Sequence, residues 1–373
     1  MDLAFLQPLY ERRGPWASVY VDTSRHTQDT PKERRLMAQA AARELASQGA
    51  DEATCEAVRT AVDELRHSTE PHGRAFFAHD GGVVLDPSLT RPPQQELTAV
   101  WAPLPHVSPL LNLLGEDPTC LVVYVTRGGA DLELRTALGS SEAGEVVGRQ
   151  WPLHRTASSD WSERHFQLAV ENTWGQNAAE IAREVTACRE ETRADLVILV
   201  GEQRDRRTVL EQLPPQVREC AVEASHGTGS RLLDEEVEGL RATHWRQRAE
   251  GDLGRFLAAR GRDRQGGAGA VEGVPALVEA AREHRIDELL INLDGPDAHR
   301  QIWIGEEPDQ LAVRRSDLRI LGEQHSWAAR ADDALLRSAV ASGTPAISVE
   351  PALEDDSPVV VPVGGLGALL RWA

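Results

Sequence analysis

Short, β-rich apolar runs alternate with longer amphipathic stretches along the whole chain, and this alternation constrains the fold more than any other feature. The runs ASVYVD (17–22), TCLVVYVT (119–126), LVILV (196–200) and residues 287–293 read as strands. Residues 73–80 and 83–86 flank an Asp-Gly-Gly turn and read as a β-hairpin. Arg127-Gly128-Gly129-Ala130 turns the second run into a further strand over 131–138. Between these runs lie helical stretches. Thr30-Pro31-Lys32-Glu33 is a helix start, with Thr as N-cap, Pro at the first helical position and Glu closing a capping box. That helix runs to about Ser47, and a second covers about Asp51 to Arg66. A long helix begins near Ser162, because Phe166, Val170, Trp174, Ala178, Ile181 and Val185 recur every three or four residues. Val217–Glu223 reads as a strand and 229–260 as a helix interrupted near Gly251–Gly254. Helices over 272–284 and 331–342 and a strand over Ala346–Glu350 complete the pattern. Strands alternating with helices in every third imply α/β domains.

The length of 373 residues suits two or three domains. The expected division is an N-terminal α/β domain over 1–117, a central domain over 118–247 with a long loop at 139–161, and a C-terminal α/β domain over 248–373. Asp263–Gly269 is a Gly-rich hinge in this reading. The uncharged run Leu97–Gly115 contains Pro103, Pro105, Pro109, His106 and Asn112, so it reads as loop and short helix rather than as a membrane span. Asp2 stands where a signal peptide wants positive charge, so a cytoplasmic protein without membrane contact is expected.

The formal net charge is −19, from 40 Lys+Arg against 59 Asp+Glu, which argues against a general DNA-coating role. Lys32 is the sole lysine, so Schiff-base chemistry has almost no candidate. Cys55, Cys120, Cys188 and Cys220 form no CxxC and read as reduced thiols. Twelve histidines are scattered without metal spacing, so no metal and no cofactor are expected. No GxGxxG follows a strand, and no Walker, HExxH or GxSxG motif occurs. The acidic pairs Asp332-Asp333 and Asp355-Asp356 read as solvated surface. Arg241–Arg264 is rich in arginine with interspersed acids and reads as a salt-bridged helical surface.

One stretch departs from the acidic background. Arg149–Ser159 holds Arg149, His154 and Arg155 and no acid, and it leads into Arg164, His165 and Gln167. Trp151 and Trp161 interleave with these residues. Arginine and aromatic side chains together bind phosphates and stack on bases.

The order of elements over 119–373 resembles the central and C-terminal domains of the archaeo-eukaryotic release factor and Pelota superfamily. The resemblance rests on the strand–turn–strand TCLVVYVTRGGADLEL, the long loop, and the helix opening SDWSERHFQLAVEN. It continues through LVILVGEQRDRRTVLEQL, through GGAGAVEGVPALVEAAREHRIDELLINLD, and through the closing PVGGLGALLRWA. The Trp161-Ser162-x-Arg164-x-Phe166-Gln167 arrangement and the divergent first third are similar to the bacterial branch, with its actinobacterial family-two members and Balon-like ribosome-hibernation factors.

That resemblance implies a ribosome-binding factor in the A site, with the central loop near the peptidyl-transferase centre and a translational GTPase, elongation factor Tu, as a further partner. It assigns rRNA contact to Arg149, Trp151, His154, Arg155, Trp161, Arg164, His165 and Gln167. Release factors carry Gly-Gly-Gln at the loop tip, and the matching positions here are Ser159, Asp160 and Trp161. Asp160 brings negative charge to where ester hydrolysis develops an oxyanion, so no catalytic residue is carried over. The expected role is non-catalytic, in hibernation or stress. The alternatives are a rescue-type peptidyl-tRNA hydrolase or tRNA nuclease using other residues, and a protein-interaction module on the same scaffold.

Overall fold

The computed structural model describes residues 1, 3–23, 31–65, 72–114, 119–136, 139–147, 160–261, 268–320, 322–349 and 362–372, with backbone only for 160–173. The expected Thr30 cap, the core of the 263–269 hinge and the Asp355-Asp356 pair lie outside them. The chain forms two compact units: Met1–Glu116 with Arg248–Ala373, and Asp117–Gln247. Both pack β-sheets with helices, the second unit around one mixed sheet and the first around one mixed and two antiparallel sheets.

After the short helical turns Ala4–Leu6 and α1 (Gln7–Tyr10), the first unit begins with β1 (Trp16–Asp22). Two helices follow, α2 (Pro31–Ser47) and α3 (Glu52–Asp63), the second capped by Asp51, which accepts from the Thr54 amide at 2.8 Å. Strands β2 (Gly73–His79), β3 (Gly82–Leu85), β4 (Ser88–Leu89) and β5 (Leu97–Ala102) and the short helix α4 (Leu110–Leu113) complete this part. Asp80 and Gly81 take φ of 50° and 76°, the conformation a tight hairpin turn requires. The sheet order is β3-β2-β1-β5, with β4 beside β2. The first part of the run expected to be loop is therefore strand β5, paired with β1 from Trp16↔Ala102 to Val21↔Leu97. Its alternate residues Leu97, Ala99 and Trp101 pack on the helices.

β1 is buried at every residue. Ala17, Val19 and Val21 pack with Ala41, Leu45, Val58 and Val62 of α2 and α3. Trp16 and Tyr20 point the other way, into a core shared with the last third of the chain.

The second unit contains β6 (Cys120–Thr126), β7 (Gly129–Thr136), β8 (Gly139–Val147), α5 (Asp160–Thr192), β9 (Leu196–Gly201), α6 (Gln203–Gln212), α7 (Pro215–Arg218) and β10 (Ala221–Glu223). Its sheet order is β10-β9-β6-β7-β8, with β6, β9 and β10 parallel. Helices cover both faces, which explains the uninterrupted apolar runs of β6 and β9. Leu121, Val123, Val197 and Leu199 meet α5 and α6, while Val122, Ile198 and Val200 meet Leu233 and Val237 of α8 (Leu233–Ala259). The expected strand over 217–223 shortens to three residues, because Pro215 nucleates a helical turn ahead of it. Helix α8 also runs without the interruption expected at Gly251–Gly254. Each glycine costs about 1 kcal/mol there, and the fully buried Phe256 offsets that cost.

The last third holds β11 (Ala270–Glu272), α9 (Val274–Arg282), β12 (Ile286–Ile291), β13 (Gln301–Ile304), β14 (Leu311–Ala312), α10 (Arg315–Ile320), β15 (Trp327–Arg330), α11 (Ala331–Ser342), β16 (Ala346–Ser348) and β17 (Leu366–Leu370). These form a sheet of order β11-β17-β12-β16 and a small sheet β14-β13-β15. Gly365, at φ 90°, approaches so closely that an added Cβ would lie 2.6 Å from the Gly295 Cα, which accounts for a glycine in the closing strand's approach.

The Asp332-Asp333 pair, expected on a solvated face, is buried at 0% and 3% exposure. Asp333 accepts from His106 Nδ1 (2.8 Å) and from the amides of Val107 (3.0 Å) and Ser108 (3.1 Å). Asp332 accepts from the Ser108 hydroxyl (2.9 Å) and the Arg330 guanidinium (2.6 Å). Donors arriving from 227 positions away in the chain make the burial tolerable, and no local sequence pattern announces them. Burial alone would lower the His106 pKa, but the Asp333 carboxylate outweighs it and raises the value above the ordinary 6.5. Burial, and then the neighbouring Asp333, raise the pKa of Asp332.

Asp333→Ala strands the His106 ring and two amides, and should cost about 3–5 kcal/mol in urea unfolding of this unit. With its folded-state pKa raised, His106 contributes stability that is complete below its unfolded value and lost as pH rises through the folded value. The urea midpoint should therefore fall between about pH 6 and about pH 9 in the parent, with a shallower fall in His106→Asn.

Candidate functional site

The basic stretch singled out in the sequence lies between β8, which ends at Val147, and α5, which begins at Asp160. Arg149, Trp151, His154 and Arg155 fall outside the described residues. Trp161, Arg164, His165 and Gln167 stand in the first turns of α5, two residues of which precede the expected start at Ser162. The structure thus brings these four positions together on one helical segment.

The lower part of that helix is fixed by packing. Trp174, Ala178, Ile181 and Val185 are buried against the sheet, as their spacing predicts. Within this apolar stripe sits a buried polar residue, Asn177, whose Nδ2 donates to the Arg127 carbonyl at 3.2 Å. Arg127 closes the β6–β7 turn, and its guanidinium lies 3.5 Å from Asp205 and 3.7 Å from Glu202 at the head of α6. Burial raises the Asp205 pKa, and Arg127 opposes it. The long helix, the turn and α6 are therefore tied together at one end of the sheet. The sequence reading did not single out Asn177. A polar residue in a buried helical stripe is the signal that points to it.

Elsewhere on this sheet, charges are also satisfied internally. Arg135 bonds the Tyr124 hydroxyl (3.1 Å), Glu133 (3.1 Å) and Asp234 (2.9 Å). Slight desolvation pushes Glu236 up, but amides of Ser225 and His226 donate to it and hold it at about 2. The arginine-rich stretch is a salt-bridged surface, as expected. Arg241 pairs with Glu238 (2.9 Å), Arg255 with Asp252 (2.6 Å) and Glu288 (2.7 Å), and Arg260 with Glu272 (2.6 Å). Arg262 and Arg264 lie outside the described residues.

The four cysteines are free thiols, three of them buried, and burial pushes Cys120 up to about 12. Among the described residues, Glu306, Glu323 and His325 are the group whose ligand atoms lie within 4.8 Å of one another. Glu306 is already engaged by Arg13. No described helix is long and apolar enough to cross a membrane.

Residues 119–262, which carry this sheet, its long helix and the basic stretch, match the model of the bacterial archaeo-eukaryotic release factor family 2. The matched segment is thus similar to the bacterial release-factor family, while the residues before 119 and after 262 lie outside that match. It is similar to an uncharacterized protein of Mycobacterium tuberculosis, found in two strains, at 28% identity over 374 residues, covering 99% of this chain and 96% of that one. Among solved structures, it is similar to ribosome-bound archaeal Pelota with ABCE1, at 14% identity and a TM-score of 0.44, covering 98% of this chain and 93% of that one. It is also similar to Saccharomyces cerevisiae Dom34, a termination-like factor that interacts with Hbs1, at 13% identity and a TM-score of 0.40, covering 81% and 80%.

Asn177→Ala removes the bond between helix and turn from a buried site. It should cost the central unit about 1–3 kcal/mol in urea unfolding and leave the midpoint of the other unit unchanged.

Proposed function

We propose that this protein is a non-catalytic ribosome-binding factor that occupies the A site in hibernation or stress. In this reading the central loop, expected over 139–161 but with its first part forming β8 through Val147, faces the peptidyl-transferase centre, and elongation factor Tu is a further partner. One observation carries it: the family match spans the release-factor segment, yet the positions of the catalytic tripeptide hold Ser159, Asp160 and Trp161. Two glycines that would let the backbone approach an ester are replaced by residues with side chains, and Asp160 opposes an oxyanion electrostatically. What the segment retains is the means to bind RNA. Arg149, His154, Arg155, Arg164 and His165 meet phosphates, and Trp151 and Trp161 stack on bases. Gln167 adds an amide one turn further along the helix.

The net charge of −19 is compatible with this role, because residues 149–159 carry cations and no acid and only a local patch need meet RNA. Two arginines of the central sheet, Arg127 and Arg135, are held by carboxylates, which leaves the 149–167 segment as the assigned phosphate-binding stretch in this reading.

Co-sedimentation with 70S ribosomes, with and without elongation factor Tu and GDP, tests the reading. Pelleting should compete with A-site tRNA and weaken as salt rises. Replacing Arg149, Arg155 and Arg164 together by Ala should weaken pelleting more than about tenfold, and should reduce the salt slope by about 1 per lost phosphate contact. Cooperative melting should persist. Unchanged pelleting in that variant would overturn the assignment of the segment, and no pelleting of the parent would overturn the ribosomal role.

A further inference from the structure

A cleft of about 640 Å³ opens in the unit built from the two ends of the chain, between α9 and the segment running from residue 307 into α10. This volume lies within the range of roughly 300–1,000 Å³ typical of ligand sites. Its floor is apolar, formed by Pro275, Val278, Ala312 and Val313. Its rim carries five carboxylates, on Glu279, Glu283, Glu307, Asp309 and Asp317, against one guanidinium, on Arg282. Glu283 is paired with Arg285 (2.6 Å) and Glu307 with Arg13 (3.2 Å). Among the described residues, Glu279, Asp309 and Asp317 make no ion pair. Sequence reading passes over this feature, because the acids lie on three separate segments.

We propose that this cleft docks a basic polypeptide segment, with Arg or Lys stems lying on the apolar floor and their charged heads on the acidic rim. Long basic side chains bury their methylene stems on apolar surface while keeping their charge at a polar edge, which is the geometry this cleft offers. The arrangement of the acids excludes a single metal ion as the occupant. The described group with ligand atoms inside 4.8 Å is Glu306, Glu323 and His325, none of which lines the cleft. A nucleic acid is excluded by the sign of the charge. Charges spaced along a groove match charges spaced along a peptide. The proposal uses none of the residues assigned to rRNA, so the two readings fail independently.

The test is fluorescence anisotropy of the full chain with a labelled synthetic peptide of alternating Arg and Leu, at about 0.15 M ionic strength. The triple variant Glu279→Lys, Asp309→Lys, Asp317→Lys should lose about tenfold or more in affinity. A control with the same charge change on the central unit, Glu142→Lys, Glu190→Lys, Glu219→Lys, should lose less than about twofold, because screening limits distant charges. The milder Glu279→Gln, Asp309→Asn, Asp317→Asn chain removes the charge with little change of shape. It should also lose about fivefold or more, which keeps the test valid if the lysine variant misfolds. Equal losses in cleft and control variants would show attraction to overall charge and overturn the site. No binding by the parent, or displacement of the peptide by an equal concentration of spermidine, would also overturn it.

Discussion

The first unit depends on burying two adjacent carboxylates. Asp332 and Asp333 open α11 in a site with almost no solvent. Ionised groups in such a place are tolerated only with strong donors. Three donors to Asp333 come from residues 106–108, while Asp332 takes the Ser108 hydroxyl and the neighbouring Arg330. The nearby phenols of Tyr10 and Tyr20 are pushed well up, first by burial and then by Asp333, and stay neutral. Tyr20 in turn donates to the His106 carbonyl, so the β-sheet of the first third and the helix of the last third grip the same loop. The apolar core around them includes Trp16, Phe77, Leu289 and Leu335, and it closes only with both ends in place.

Local chemistry made much of this architecture legible. Period-3.6 apolar spacing located the buried face of α5, Asp51 marked the start of α3, and uninterrupted apolar runs marked strands covered on both faces. What escaped was the long-range pairing that decides local outcomes. Asp332-Asp333 has the composition of a solvated helix start, and only partners from another part of the chain reverse that. Residues 97–102 sit among prolines, Pro92-Pro93 before and Pro103 after, and become a strand by pairing with β1. The elements β13, β14, α10 and β15 are too short for periodicity to register. At the candidate site, the basic stretch was visible as composition, whereas the Asn177–Arg127–Asp205 tie that anchors its helix needs the fold to bring three segments together.

The central unit neutralises the arginines of its sheet internally. The arginines of its sheet are held by carboxylates of the same unit, at Asp205 and Glu202 for Arg127 and at Glu133 and Asp234 for Arg135. Internal pairing of this kind reduces the field that the scaffold presents and sharpens the contrast with any unpaired cations it supports.

The two-sided burial of β1 also has a consequence during synthesis. The loop bearing His106 leaves the ribosome 227 residues before Asp333. At roughly 5–20 residues per second, that interval is on the order of 10–45 seconds. Until it ends, α2 and α3 can cover one face of the nascent first sheet, while Trp16, Tyr20 and Phe77 on the other face have Leu6, Leu104 and Leu110 beside them but lack the part of their core that the last third supplies. The chain therefore carries an incompletely covered aromatic core while the central unit is made, the kind of transient apolar surface that makes multidomain chains aggregation-prone.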